Sequence, residues 1–194
     1  MNFDDFVKKT TVIWWQFATI VAILFMVWVL TGCNPFAVDV HPVYIIEEGQ
    51  HFANKTEKKI SPVLNERVEF AALFNISHIY DNGEDDINKL YGITSTKIHN
   101  YSARIGWRWN VDKVEIFAYY YIDGVRSFVK LGDAQLNTRH EFIVDVTGKY
   151  YYFNFDGNEL RVKSGKNIAA FRSFPYFGGN NSAPNRMTFT IVEL

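Results

Sequence analysis

The stretch from residue 99 to residue 131, HNYSARIGWRWNVDKVEIFAYYYIDGVRSFVKL, constrains the fold more than any other part of the chain. Its side chains alternate in character with a period of two, the pattern of strands with two unlike faces. Ala103, Ile105, Trp107 and Trp109 fall on one face, and Arg104, Gly106 and Arg108 on the other. Asn110 to Lys113 is polar and fits a turn. Val114, Ile116, Ala118, Tyr120 and Ile122 then make an apolar face, opposed by Glu115, Phe117, Tyr119 and Tyr121. Asp123-Gly124 is a strong hairpin signal, because glycine accepts positive φ at no steric cost. Val125 to Leu131 is the return strand. The stretch predicts three consecutive antiparallel strands, with the rest of the chain layered onto them.

The less apolar face of these strands carries arginines, a carboxylate and tyrosines in place of the Lys/Thr/Ser mixture of a plain solvated face. Two readings stand. Either both faces are buried in a sandwich with tyrosine hydroxyls at the edge, or this face binds a sugar or another planar ligand. The candidate ligand-binding residues are Arg104, Arg108, Tyr119, Tyr121, Glu115 and His99.

Further strands are expected at Val43–Ile46, Val68–Phe74, Glu141–Val146, Lys149–Phe155, Leu160–Val162 and Met187–Val192. Asp156-Gly157-Asn158 reads as another hairpin turn, and residues 177–184, FGGNNSAP, as a long flexible turn. Ile87, Leu90 and Tyr91 have helical spacing and Gly92 ends the run, so a short helix is expected there. The acidic turn at residues 81–86 precedes it. Carboxylates there suit a helix start, and they also raise calcium; the spacing is not that of an EF-hand loop. Many short strands, regular turns and almost no helix predict an all-β, two-sheet antiparallel sandwich with one short helix. An aromatic content of 17% fits a thick core between the sheets.

The N-terminal region has a different character. Asp4, Asp5, Lys8 and Lys9 precede an uncharged run from Val12 to Leu30, which ends in Leu30-Thr31-Gly32-Cys33. That tetrapeptide resembles the lipobox of bacterial lipoprotein signal peptides. The resemblance implies cleavage after Gly32 and acylation of Cys33, with stable membrane attachment through more than one acyl chain. An uncleaved anchor helix is the other reading of a run of this length. The expected organisation is a signal peptide over 1–32, a lipidated tether over 33–42 and one domain over 43–194. The expected place is the bacterial cell envelope, at the outer membrane or cell surface. Cys33 is the only cysteine, so an exported domain here is held without disulfides. About 160 residues remain after the cut, enough for one sizeable core. A net charge of −1 gives no electrostatic case for nucleic acid.

The piece YYYFNFDGNEL resembles the strand-turn-strand of concanavalin A-like and laminin-G-like jelly rolls. INKLYG, SARIGWRW, VEIFAYYYIDGVR and FPYFGGNNSAP are similar to motifs of uncharacterised Bacteroidetes-type lipoproteins. The first resemblance implies a jelly-roll sandwich and a glycan-binding or glycan-cleaving relative. Laminarinase-type jelly rolls carry their catalytic carboxylates on one strand as Glu-x-Asp-x-(x)-Glu. Here Glu115 is followed by Phe117 at the Asp place and by Tyr119 or Tyr120 at the second Glu place, so that hydrolase activity does not carry over. A polysaccharide lyase needs a group that neutralises a uronate and a Tyr or His that moves a proton. Arg104, Arg108, His99, Tyr119 and Tyr121 are residues of that kind.

Other chemistries lack their signatures. There is no Gly-x-Ser-x-Gly elbow, no zinc-type spacing among His41, His51, His78, His99 and His140, and no P-loop or dinucleotide fingerprint. No cofactor and no metal are expected. The reading that follows is a membrane-anchored lipoprotein with a carbohydrate-binding, lectin-like domain. Its alternatives are a lyase-like enzyme and a non-catalytic structural or adhesin subunit of the envelope.

Overall fold

The computed structural model describes residues 43–54, 67–81, 86–165 and 171–194. The chain divides into two compact units, Met1–Val40 and His41–Leu194, and all described residues belong to the second. The expected signal peptide, Cys33 and the tether lie outside the described residues.

The strands in chain order are β1 (Val43–Ile46), β2 (Arg67–Leu73), β3 (Asn88–Thr94), β4 (Ser102–Asn110), β5 (Lys113–Ile122), β6 (Val125–Ala134), β7 (Arg139–Asp145), β8 (Tyr150–Phe155), β9 (Asn158–Lys163), β10 (Phe171–Ser173) and β11 (Met187–Glu193). They form two sheets, a back sheet in the order β1-β11-β2-β7-β8-β9 and a front sheet in the order β10-β3-β4-β5-β6. Every pairing is antiparallel. The domain is an all-β jelly-roll sandwich.

The residues that alternate on the apolar face of β4 and β5 do face the second sheet. Ile105, Trp107, Ile116 and Ala118 are fully buried, and they meet Phe70, Phe142, Phe153 and Phe189 of the back sheet in one core. Phe70 stacks on Phe142 with ring centres 5.0 Å apart, and Trp107 lies 5.8 Å from Phe189 across the sheets. Burying aromatic rings of this size contributes the largest stabilising share of such a core. The Asp123-Gly124 and Asp156-Gly157 turns both take left-handed backbone at two successive residues. That geometry matches the twist of the hairpin strands they join.

The expected helix at residues 87–91 does not form. Those residues enter β3, and the register slips between Lys89 and Tyr91. The slip lets two consecutive residues, Leu90 and Tyr91, both point into the core. A β-bulge therefore places apolar residues at the same spacing as a helix face. The one helical turn among the described residues is a 3-10 turn at Ile76–His78, capped by the Asn75 side chain, which accepts from Ser77 N at 2.8 Å.

Candidate functional site

The outer face of the front sheet is not covered by the back sheet. It carries a groove of about 480 Å³ lined by side chains of β3, β4, β5, β6 and β10 and of the segment that follows β10. Register explains which residues meet there. Arg104 on β4 lies opposite Tyr119 on β5, and Tyr121 lies opposite Arg126 on β6. Directly opposed residues of an antiparallel pair share a face. On the other side, Gly92 of β3 pairs with Arg104. A Cβ on Gly92 would come within 2.4 Å of the Ala103 carbonyl oxygen, and its φ of +154° is one that side chains rarely adopt. Only glycine lets the β3 backbone pass this close to Arg104.

The groove is cationic and aromatic. Lys89, Arg104, Arg126 and Arg172 line it, and among the described residues no carboxylate does. The Arg104 guanidinium carbon sits 5.0 Å from the Tyr119 ring centre and 5.9 Å from that of Tyr121. Lys89 Nζ lies 4.9 Å from the Tyr119 ring and donates a hydrogen bond to the Gly178 carbonyl at 2.8 Å. Arg104 is only 4% exposed and Lys89 6%. Arg104 makes no ion pair among the described residues, and its buried Nε has no hydrogen-bond partner. A buried charge without an anion costs several kcal/mol of solvation. Cation–π contacts return only about 0.5–2 kcal/mol each.

This burial perturbs the ionisable groups. Loss of hydration lowers Lys89 to about 8, and the neighbouring Arg104 and Arg126 charges work in the same direction against the pull of Asp86. Burial lowers Arg104 to about 10, so the guanidinium keeps its charge at neutral pH. Burial also raises the Tyr119 hydroxyl to about 12, helped by its hydrogen bond with Tyr121 and opposed by Arg104. Tyr119 therefore keeps its proton at neutral pH.

The wall beyond β3 is held from several sides. Gly178 N donates to the Asn88 side-chain oxygen at 2.6 Å, and Gly179 N and Asn180 N donate to the Asp86 carboxylate. The segment expected to be a long flexible turn is thus pinned to β3 at its start. Residues 82–85 of the acidic turn lie outside the described residues, and the calcium alternative falls largely on them.

The structure brings four of the six sequence-expected residues to this groove: Arg104, Tyr119, Tyr121 and His99. His99 sits on the rim with its ring 5.3 Å from Tyr121. Arg108 and Glu115 are not among the lining residues. They pair with each other, Arg108 Nε donating to Glu115 Oε2 at 2.7 Å, and Lys130 Nζ donates to the other oxygen at 2.7 Å. Burial alone would raise Glu115, but hydrogen bonds from Lys130, Arg108 and Asn110 outweigh it and bring it down to about 2.

Lys89, Arg126, Arg172, Phe52 and Tyr176 also line the groove and were not among the residues expected from sequence. Arg126 was accessible to the hairpin rule, since a two-residue turn at Asp123-Gly124 places it across from Tyr121. Lys89 was hidden by the helical reading of its segment. Tyr176 and Phe52 arrive through isolated bridges that no local pattern announces.

No family model matches the sequence, and no curated protein does. Solved structures do resemble it. The structure of alginate lyase AlyC3 superposes with a TM-score of 0.53 at 9% identity, covering 77% of this chain and 71% of that one. The same lyase in complex with dimannuronate gives a TM-score of 0.52 at 11% identity, covering 78% and 74%. At such identities the likeness is one of fold, and the jelly-roll sandwich is shared.

Proposed function

We propose that the protein is a lipid-anchored envelope protein whose jelly-roll domain binds an acidic polysaccharide in the front-sheet groove. One observation carries the binding reading. Arg104 is buried against two tyrosine rings, has no anion of its own among the described residues, and lines an open groove. A ligand carboxylate would supply the missing charge, since a guanidinium can donate to both carboxylate oxygens in one plane. Tyr121 would offer its ring to the sugar. Because AlyC3 shares this fold and was solved with dimannuronate, uronate oligosaccharides are the natural first probes. The test is a glycan array carrying neutral, carboxylated and sulfated glycans. Retention of carboxylated glycans over their neutral counterparts supports the reading, and retention of neutral glycans alone contradicts it.

The anchoring half of the proposal rests on Leu30-Thr31-Gly32-Cys33. Changing Cys33 to Ser should abolish acyl labelling and leave the precursor uncut. Normal processing and membrane retention of that variant would refute it.

A lyase is the second reading. Tyr119, kept protonated by burial and flanked by two cations that would stabilise its phenolate as the proton leaves, suits the acid half of an elimination. Incubation with uronate polymers distinguishes the two readings. Release of unsaturated sugar ends makes the protein a lyase, and binding with no release makes it a lectin.

A further inference from the structure

The groove does not stop at the last front-sheet strand. Past β10, the chain continues alongside β3, and Tyr176 bridges to Lys89 on one side and to Phe52 on the other. The segment around Phe52 thus adds one more rung to the front sheet. Its backbone is held by Phe177 N donating to the His51 carbonyl at 2.8 Å, Ala53 N to the Pro175 carbonyl at 3.4 Å and Asn54 N to the Ile45 carbonyl at 2.7 Å. Ala53, next to it, is fully buried. Phe52 itself is 56% exposed, and its ring meets Tyr176 edge-on at 4.9 Å. Tyr176 in turn stacks on His51 with ring centres 5.5 Å apart and planes 16° from parallel.

A single exposed phenylalanine is ordinary on a protein surface. This one is different in two respects: it is fixed on a sheet rung, and it lines the same groove as the unpaired Arg104. Three strand spacings separate the β4 backbone at Arg104 from the Phe52 rung, about 14 Å measured across the strands. One sugar ring does not reach that far. A chain lying across the strands does.

We propose that Phe52 is an aromatic platform forming a remote subsite of the groove. It takes the apolar face of a sugar ring in the same oligosaccharide whose acid group lies at Arg104. This inference rests on the acidic-polysaccharide reading and adds to it the direction and length of the ligand: the chain runs across the strands, from Arg104 past Lys89 and Tyr176 to Phe52. A disaccharide seated on Arg104 stops short of Phe52. A hexasaccharide covers it.

The test is calorimetry with oligomannuronates and oligogalacturonates of two and of six units, on the wild type and on Phe52→Ala and Phe52→Trp. Phe52→Ala should weaken the hexamer about fivefold to tenfold, the effect of losing one ring-stacking contact. It should leave the dimer within about twofold, and Phe52→Trp should hold or improve the hexamer. A melting temperature equal to wild type for Phe52→Ala excludes an effect through folding. Equal losses for dimer and hexamer, or no loss for either, would overturn the platform while leaving the acidic-polysaccharide reading intact. Absence of any oligouronate binding by the wild type would overturn both.

Discussion

Arg104 on β4 stands directly across from Tyr119 on β5, with its guanidinium carbon 5.0 Å from the centre of the tyrosine ring. The pair is buried, yet its positive charge is matched by no carboxylate among the described residues. A charge kept at such a cost, at the floor of an open groove, is what a site for an anion requires and what a core does not.

An unpaired buried charge at Arg104 has opposite consequences for stability and for binding. Arg104→Met removes an unpaired buried charge and keeps an aliphatic side chain of similar length. Its unfolding free energy should stay within about 1 kcal/mol of wild type or rise, since only cation–π contacts are lost. Denaturant melts of both proteins check this. A loss well above that figure would mean that Arg104 holds the fold together.

Lys89 sets a pH dependence. Its ordinary value is 10.5, and burial, with Arg104 and Arg126 nearby, brings it to about 8 in the fold. Between those two values the unfolded chain carries one more proton than the folded one, so this group's contribution to stability rises with pH across that window. Anion binding should move the other way and weaken as pH rises through about 8, where Lys89 loses its charge. Titrations at pH 7 and pH 9, repeated on Lys89→Met, check both signs. The variant should show a flatter pH profile for stability and for binding.

The Glu115 cluster predicts acid sensitivity. Its ordinary value is 4.5, and the hydrogen bonds from Lys130 and Arg108 bring it to about 2 against the opposing effect of burial. Its stabilisation is present above pH 4.5 and lost as pH falls toward 2. Glu115→Gln should cost about 1–3 kcal/mol at neutral pH, the range for losing charge-assisted hydrogen bonds. It should also flatten the acid limb of the stability curve. Thermal melts from pH 2 to pH 7 measure this. Ligand affinity of the variant should match wild type, because Glu115 lies outside the groove lining.

Much of the architecture was legible because period-two alternation is a local signal. Trp107 and Ile116 declared the core face of β4 and β5 from their neighbours alone, and Asp123-Gly124 and Asp156-Gly157 declared their turns. Residues 87–91 carry a helical spacing yet enter a strand, because a bulge in a strand and a turn of helix put apolar side chains at the same spacing. Nothing within INKLYG distinguishes the two; the strand at Asn88–Thr94 is decided by pairing with β4. The same limit applies to the site. Arg104, Tyr119 and Tyr121 share a parity visible in sequence, whereas Phe52 and Tyr176 join them only through contacts between distant segments. Parity also promised too much for Arg108 and Glu115. Both lie on the expected face of their strands, where Glu115 pairs with Arg108 and with Lys130 outside the groove lining.

The most direct test is a calorimetric titration of a uronate hexasaccharide and its neutral counterpart into the domain, with Arg104→Met alongside. The account predicts micromolar or weaker binding of the acidic chain, on the order of −5 to −8 kcal/mol, no comparable binding of the neutral one, and at least tenfold loss in Arg104→Met with the fold intact. Equal affinity of the acidic and neutral chains, or of the wild type and a folded Arg104→Met, would contradict it.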